Sequence, residues 1–157
     1  MGESTNKLML ESKVALITGA ASGLGAQAAR LFASRGAKVV VADINDALSA
    51  EVAAEIAGSS VHCDVTRSED VNNAVTHAVK HHGQLDIMVN NAGFAPAPDN
   101  DRFQQMVLNQ MARIDPSIEP SPIDALVDMP DEAWDRMIRT HLYGVFYGCL
   151  LYTSPSP

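Results

Sequence analysis

Apolar residues in the first part of the chain follow two alternating patterns, short uninterrupted runs and longer stretches with a helical period. The short runs lie within residues 14–17, 38–42, 60–63 and 85–89. Strands that are buried on both faces give such runs, whereas amphipathic helices place apolar residues three or four positions apart. Because helical stretches separate the runs, the chain predicts an α/β fold with a parallel, doubly wound sheet of about four strands and flanking helices.

Capping residues predict where the helices begin and end. Gly58 and Gly83 suit the C-terminal caps of the second and third helices, and Thr66 with Glu69 has the spacing of a capping box at the start of the third. Pro130 suits the first position of a further helix over residues 131–148. On the second helix, residues 46–57, the positions expected to face the core are Leu48, Val52, Ala53 and Ile56.

Residues 94–129 interrupt this alternation and predict an inserted segment. The segment is long for a connection between a strand and a helix, and its prolines are Pro96, Pro98, Pro116, Pro120 and Pro122. One amphipathic helix is expected within it, on the apolar positions Phe103, Met106, Val107, Met111 and Ile114. A flap over a substrate cleft, an oligomer contact and a surface excursion packed on the domain all remain open.

The glycine-rich segment after the first predicted strand is a candidate phosphate-binding turn. Gly19, Gly23 and Gly25 follow the strand and open a helix, so backbone N–H groups can approach a pyrophosphate at the helix N-terminus. A larger side chain at Gly19 or Gly23 is expected to push the phosphates away. The order of strand, glycine turn, helix, strand and acidic residue is that of a dinucleotide-binding unit.

Asp43, at the end of the second predicted strand, is the candidate for cofactor choice. A carboxylate there can accept hydrogen bonds from both hydroxyls of an adenosine ribose, and it would repel a 2′-phosphate. Residues 20–22 carry no positive charge. NAD is therefore expected rather than NADP. The alternative is that Asp43 only caps the helix that follows.

Polar or glycine residues also follow the third and fourth predicted strands. Asp64 comes after the third, and the segment Asn91-Ala92-Gly93 comes after the fourth. The carboxyl ends of parallel strands meet at one edge of a sheet, where ligands bind. All these residues are thus expected to lie together at a single site.

Composition narrows the classes of function and of partner. The length of 157 residues suggests one domain, and a net charge of −8 argues against nucleic acid or an anionic membrane as the partner. No stretch is apolar enough to span a bilayer, and residues 1–10 lack a signal-peptide core. With two cysteines, a disulfide framework is not expected, so a cytoplasmic location is predicted.

At this point the sequence resembles the classical short-chain dehydrogenase/reductase family. The resemblance rests on the pattern TGxxxGxG, with Thr18, Gly19, Gly23 and Gly25, and on the pattern NNAG at residues 90–93, and it extends over residues 13–148. It implies a Rossmann-like fold and NAD-dependent hydride transfer between a secondary alcohol and a ketone. It also implies a small-molecule alcohol or carbonyl substrate and a homo-oligomeric parent, a dimer or a tetramer.

The same resemblance assigns roles to individual residues. Asp64 would hydrogen-bond the adenine amino group with Val65 packed beside it, and residues 91–93 would pass under the adenosine ribose. The full cofactor-binding set is Gly19, Ser22, Gly23, Leu24, Gly25, Asp43, Ile44, Asp64, Val65, Asn91, Ala92 and Gly93. His141 stands where the family usually has an asparagine that kinks a helix and holds a water of the proton relay. A catalytic role for His141 and a purely structural one both stay open.

The family's catalytic serine and its Tyr-x-x-x-Lys pair have no counterpart in this sequence. Residues 149–157, CLLYTSPSP, resemble a translated sequencing adapter, so residues 1–148 are expected to be the N-terminal part of a dinucleotide-binding domain, followed by a non-native tail. An active parent enzyme with an inactive fragment is one hypothesis, and a non-catalytic dinucleotide-binding module is the other. A methyltransferase is disfavoured by the two patterns together, and His77 with His81 is not expected to bind a metal.

Overall fold

A computed structural model describes residues 9–95, 100–122 and 129–153. Its strands are β1 (Val14–Thr18), β2 (Lys38–Asp43), β3 (Ser59–His62) and β4 (Ile87–Val89). Its α-helices are α1 (Gly23–Ser34), α2 (Asp46–Glu55), α3 (Ser68–His82), α4 (Asn100–Met111), α5 (Asp131–Ile138) and α6 (Gly144–Thr153). A π-helical turn, Arg139–Tyr143, joins α5 to α6.

The described strands form one parallel sheet in the order β3-β2-β1-β4. In its register Val14 lies opposite Lys38, and Ala15 lies opposite Ile87 on the other side of β1. The chain therefore passes from β1 outward to β3 and returns to the other side of β1 with β4. This reversal beside β1 confirms the predicted doubly wound α/β fold, and it places a crevice at the carboxyl end of β1.

Both faces of the sheet are covered, so the strands read as apolar runs. Val14 and Leu16 of β1 pack into the layer that contains α3, and Ile17 packs into the layer that contains α1 and α2. Small buried residues let these helices lie close to the strands. They are Ala26, Ala29, Ala53, Ala74 and Ala78.

Some predicted helix ends are confirmed and others are wrong. Gly83 ends α3 in the left-handed conformation, with its N–H donating to Val79. The capping box is wrong, because α3 begins at Ser68 and the hydroxyl of Thr66 donates to the Asp64 carboxylate at 2.8 Å instead. The Thr66 hydroxyl therefore bonds the Asp64 carboxylate, a charged acceptor two residues away, instead of the N-terminus of α3.

The second helix also differs from its prediction. It ends at Glu55 with Ile56 as its C-cap, and the positive φ of 52° falls on Ala57 rather than on Gly58. A Cβ on Gly58 would lie 2.5 Å from the carbonyl oxygen of Val39, so close approach to β2 explains this glycine. Leu48 was expected in the core but is 40% exposed. Ser49, the next residue, is buried instead, because it lies on the side of the helix that faces the sheet.

The predicted helix over residues 131–148 is not one regular helix. Pro130 lies directly before the helix rather than at its first position, because α5 begins at Asp131. The carbonyl of Pro130 accepts the N–H groups of Ala133 and Trp134. The π-helical turn then interrupts the regular α-helix with a wider turn, and α6 follows as far as Thr153. Such turns are frequent at functional sites, and this one contains His141. Cys149 lies in α6 and residues 154–157 lie outside the described residues, so the interpretation of the tail stays a prediction.

Phe94–Arg136 forms a second compact unit. Within it, α4 is the predicted amphipathic helix, although Ile114 lies beyond its end. The guanidinium of Arg136 stacks on the ring of Phe94, 4.5 Å from the ring centroid. Two of the predicted breakers, Pro96 and Pro98, lie outside the described residues, as do residues 1–8. Among the described helices, none is long and apolar enough to cross a membrane.

Candidate functional site

The loops that leave the carboxyl ends of β1 and β4 are fastened together by one buried hydroxyl. Thr18 is 1% exposed, and its Oγ1 accepts the N–H groups of Asn91 and Ala92 at 3.2 Å each. The Asn91 side chain returns the contact, since its Nδ2 donates to the carbonyls of Thr18 and Gly19 at 3.0 Å each. The two loops therefore form one rigid edge.

Two of the three motif glycines are required by crowding between these loops. A Cβ on Gly19 would lie 2.7 Å from the Cα of Ala92. A Cβ on Gly25 would collide with the carbonyl oxygen of Gly19 and lie 2.5 Å from the Nδ2 of Asn91. A side chain at Gly19 would thus meet the protein's own backbone. The expectation that it would also push the phosphates away stays a prediction. Gly23 differs, since a Cβ there meets no described heavy atom within 4 Å.

The N-terminus of α1 opens at this edge. The helix begins at Gly23, and Ser22 occupies the N-cap position without a side-chain capping bond to any described residue. Leu24 is 84% exposed in the first turn. The backbone N–H groups of this turn and the positive end of the helix dipole together suit an anion such as a pyrophosphate.

The carboxylate of Asp43 links the glycine-rich loop to the start of α2. Its Oδ2 accepts the N–H of Ala21 at 2.9 Å, and its Oδ1 accepts the N–H of Asn45 at 2.9 Å. The capping alternative for Asp43 is wrong, because Asn45 caps α2 by accepting the N–H of Leu48. Each carboxylate oxygen has a second lone pair for a further donor. The neighbouring Ile44 is 66% exposed.

The segment after β3 is held by hydrogen bonds of its own. The Oδ1 of Asp64 accepts both the N–H and the hydroxyl of Thr66, at 2.9 and 2.8 Å. The N–H of Asp64 donates to the Oδ2 of Asp70 at 3.1 Å. Val65 is buried against Gly144, where a Cβ would lie 2.9 Å from the Val65 side chain. These hydrogen bonds hold both the backbone and the carboxylate of Asp64 at the end of β3.

A histidine that sequence reasoning passed over lies between two of these segments. The Nδ1 of His62 is 2.8 Å from the Oδ1 of Asp46, and its Nε2 is 3.9 Å from the Oδ2 of Asp70. The hydrogen bond to Asp46 is the main cause that raises the pKa of His62 above its usual value of 6.5. The adjacent Cys63 is buried, and burial raises the pKa of its thiol to about 12, so it stays protonated.

The π-helical turn brings His141 against the loop after β4. A Cβ on Gly93 would lie 2.6 Å from the Cε1 and 3.1 Å from the Nδ1 of His141. A side chain at position 93 would therefore meet the ring of His141, which would have to shift. Gly93 and His141 belong to the same compact unit, although they are far apart along the chain.

The histidines of α3 lie away from this edge, because a helix that connects parallel strands runs back toward their amino ends. The rings of His77 and His81 stack with centroids 4.0 Å apart. Burial, followed by the charges of His81 and His82, lowers the pKa of His77, so its ring is neutral near pH 7. Among the described residues, no group of three or more metal-ligating side chains is placed to hold an ion.

Known proteins share this sequence pattern and this fold. A family profile described as short chain dehydrogenase matches residues 13–117. "Borneol dehydrogenase, mitochondrial" from Lavandula x intermedia is 57% identical over 95 residues, which is 60% of this chain and 37% of that protein. "Tropinone reductase-like 1" from Erythroxylum coca is 54% identical over 161 residues, covering 92% of this chain and 51% of that protein.

Solved structures agree with these matches. A 3-ketoacyl-(acyl-carrier-protein) reductase from Brucella melitensis, complexed with NADH, superposes with a TM-score of 0.71 at 35% identity, over 90% of this chain and 49% of that one. A hydroxysteroid dehydrogenase from Escherichia coli gives a TM-score of 0.69 at 29% identity, over 93% of this chain and 53% of that one. The chain thus spans about a third to a half of the length of its curated relatives.

Proposed function

The chain belongs to the short-chain dehydrogenase family, and from this premise we propose that residues 13–148 form the dinucleotide-binding part of an NAD-dependent oxidoreductase. The observation that carries the proposal is the position of Asp43. Its carboxylate is held between the glycine-rich loop and the start of α2 by two backbone N–H groups. A fixed carboxylate at this edge can bind two ribose hydroxyls without reorganising.

The other loops at this edge of the sheet would bind the remaining parts of the dinucleotide. The pyrophosphate would lie at the N-terminus of α1, against the N–H groups of Gly23 and Leu24. The adenine would lie near Asp64 and Val65, and the adenosine ribose would lie above the segment 91–93, which Thr18 holds in place. The exposed apolar side chains of Leu24 and Ile44 give this edge contact surface for the base and the sugars.

The bound nicotinamide would supply or accept the hydride, and the substrate would be a small-molecule secondary alcohol or its ketone. The relatives are named as dehydrogenases and reductases, which supports this class of reaction. His141 lies beside Gly93, next to the loop after β4. We place it among the groups that orient polar atoms near the reacting end of the cofactor, because an imidazole can both donate and accept a hydrogen bond.

Assembly and location are part of the same proposal. Large apolar side chains are exposed on the π-helical turn and on α6, among them Leu142, Tyr143 and Phe146. A parent protein that pairs through this face as a homo-oligomer would bury them. Cys63 is not in a disulfide with any described residue, which supports a reducing compartment such as the cytoplasm.

Isothermal titration calorimetry with NAD⁺ and NADP⁺ tests the proposal on the chain as it stands. We expect NAD⁺ to bind at least about tenfold more tightly than NADP⁺, because the 2′-phosphate would lie against the Asp43 carboxylate. Equal or tighter binding of NADP⁺ would contradict the choice of cofactor. Absence of binding by both nucleotides would contradict the dinucleotide site itself.

A further inference from the structure

We propose that His62 is a positioning residue for the cofactor, which joins the loop that carries Asp43 to the loop that carries Asp64 and tightens dinucleotide binding when it is protonated. The inference deepens the proposed function and rests on it. Its physical basis is a chain of contacts that starts at the first residue of α2 and ends at the backbone of Asp64.

The first half of that chain connects His62 to the ribose side of the site. His62 ends β3 and is the register partner of Asp43 on β2. Its Nδ1 lies 2.8 Å from the Oδ1 of Asp46, the first residue of α2. The residue before Asp46, Asn45, donates its backbone N–H to the Asp43 carboxylate. A charged contact between His62 and Asp46 therefore restrains the backbone that orients Asp43.

The second half connects His62 to the adenine side. Its Nε2 lies 3.9 Å from the Oδ2 of Asp70, which stands on the first turn of α3. That same oxygen accepts the N–H of Asp64 at 3.1 Å. Asp70 is mostly buried and cannot turn away freely, so a cation at His62 pulls on a carboxylate that already holds the Asp64 backbone.

The charges around the imidazole are mainly negative. Asp46 faces it from α2, Asp70 from α3 and Asp64 from the loop between β3 and α3, and all three raise the pKa of His62. Asp43 is its neighbour across the sheet. The cation Arg67 opposes these negative charges, since its Nε lies 3.4 Å from the Oδ1 of Asp70. The amino ends of α2 and α3 add positive partial charge on the same side.

Affinity for NAD⁺ should fall as the pH rises, because the protonated form of His62 is the one that bridges the two loops. With a pKa above 6.5 in the folded protein, the bridge is fully present below that ordinary value and is lost as the pH rises through the raised one. By linkage, a ligand that binds better to the bridged loops must lose affinity over the same range. NAD⁺ has no group that titrates between about pH 6 and about pH 9, so the change reports on the protein.

Calorimetric titration of the full chain with NAD⁺ at several pH values tests this inference. For the unmodified chain, the dissociation constant is expected to rise about two- to fivefold between about pH 6 and about pH 9, as suits an exposed ion pair. His62→Gln should give a flat profile at the weaker value. His81→Gln, the matched control on the exposed face of α3, should follow the unmodified chain.

The outcomes separate the inference from the proposal beneath it. A flat profile in the unmodified chain, or an unchanged slope in His62→Gln, overturns the role of His62 while NAD⁺ binding stands. Absence of NAD⁺ binding at every pH overturns both. If His62→Gln fails to fold by circular dichroism, Asp46→Asn replaces it, because it removes the charge that faces Nδ1 and should reduce the slope; an unchanged slope there also refutes the inference.

Discussion

Replacing Gly19 with alanine is expected to lower the free energy of unfolding by about 2–5 kcal/mol, measured by urea denaturation. Two costs combine at this position. Gly19 has a φ of 64°, where an L-residue is strained by about 1–2 kcal/mol. The added Cβ would also lie 2.7 Å from the Cα of Ala92, and such overpacking costs about 1–3 kcal/mol. The loops after β1 and β4 would separate, so nucleotide binding should weaken with the stability.

The other motif glycines are matched controls that carry one cost each. Gly23→Ala adds strain at a φ of 54° without a close contact to a described atom, and should cost about 1–2 kcal/mol. Gly25→Ala adds crowding against the carbonyl of Gly19 and the side chain of Asn91 without positive φ, and should cost about 1–3 kcal/mol. If Gly19→Ala is no worse than Gly23→Ala, the contact between Gly19 and Ala92 is looser than the structure shows.

Asp43→Asn is expected to change the preference for NAD⁺ over NADP⁺ by about tenfold to a hundredfold. The variant keeps one acceptor oxygen but loses the charge, and a hydrogen bond to a charged group contributes about 1.5–3 kcal/mol. NAD⁺ should bind more weakly, whereas NADP⁺ should bind as well or better because repulsion of its 2′-phosphate is removed. Calorimetry with both nucleotides gives the ratio of dissociation constants directly.

Asp101→Asn is the matched control for that change. It makes the same alteration in net charge at an exposed residue of α4, in the second compact unit. Its ratio of dissociation constants should equal that of the unmodified chain. A ratio that is unchanged in Asp43→Asn would show that this carboxylate does not contact the adenosine ribose.

The sequence predicted the sheet well because each strand has a local signal. Runs such as residues 14–17 are buried on both faces, and neither a surface helix nor a loop tolerates such a run. The edge of the sheet that collects Gly19, Asp43, Asp64 and Gly93 also followed from local order, since the carboxyl ends of parallel strands coincide.

Long-range contacts account for what the sequence did not predict. The hydroxyl of Thr18 stands in a familiar motif, but its partners at residues 91 and 92 become visible only when β4 lies beside β1. Thr66 has the spacing of a helix cap, but its hydroxyl donates to the Asp64 carboxylate instead. Asn45 could have been found, because an asparagine directly before an apolar helical period is a common N-cap. The π-helical turn and the contacts of His62 left no periodic signal.

The most direct test of this account is amide hydrogen exchange of the chain with and without saturating NAD⁺. Exchange is expected to slow together at residues 19–25, 43–45, 64–66 and 91–93, whereas the C-terminal part of α3, residues 77–82, is unaffected. Slower exchange at only one of these loops, or only within residues 100–122, would show that the loops at the carboxyl edge of the sheet do not converge on one adenine dinucleotide.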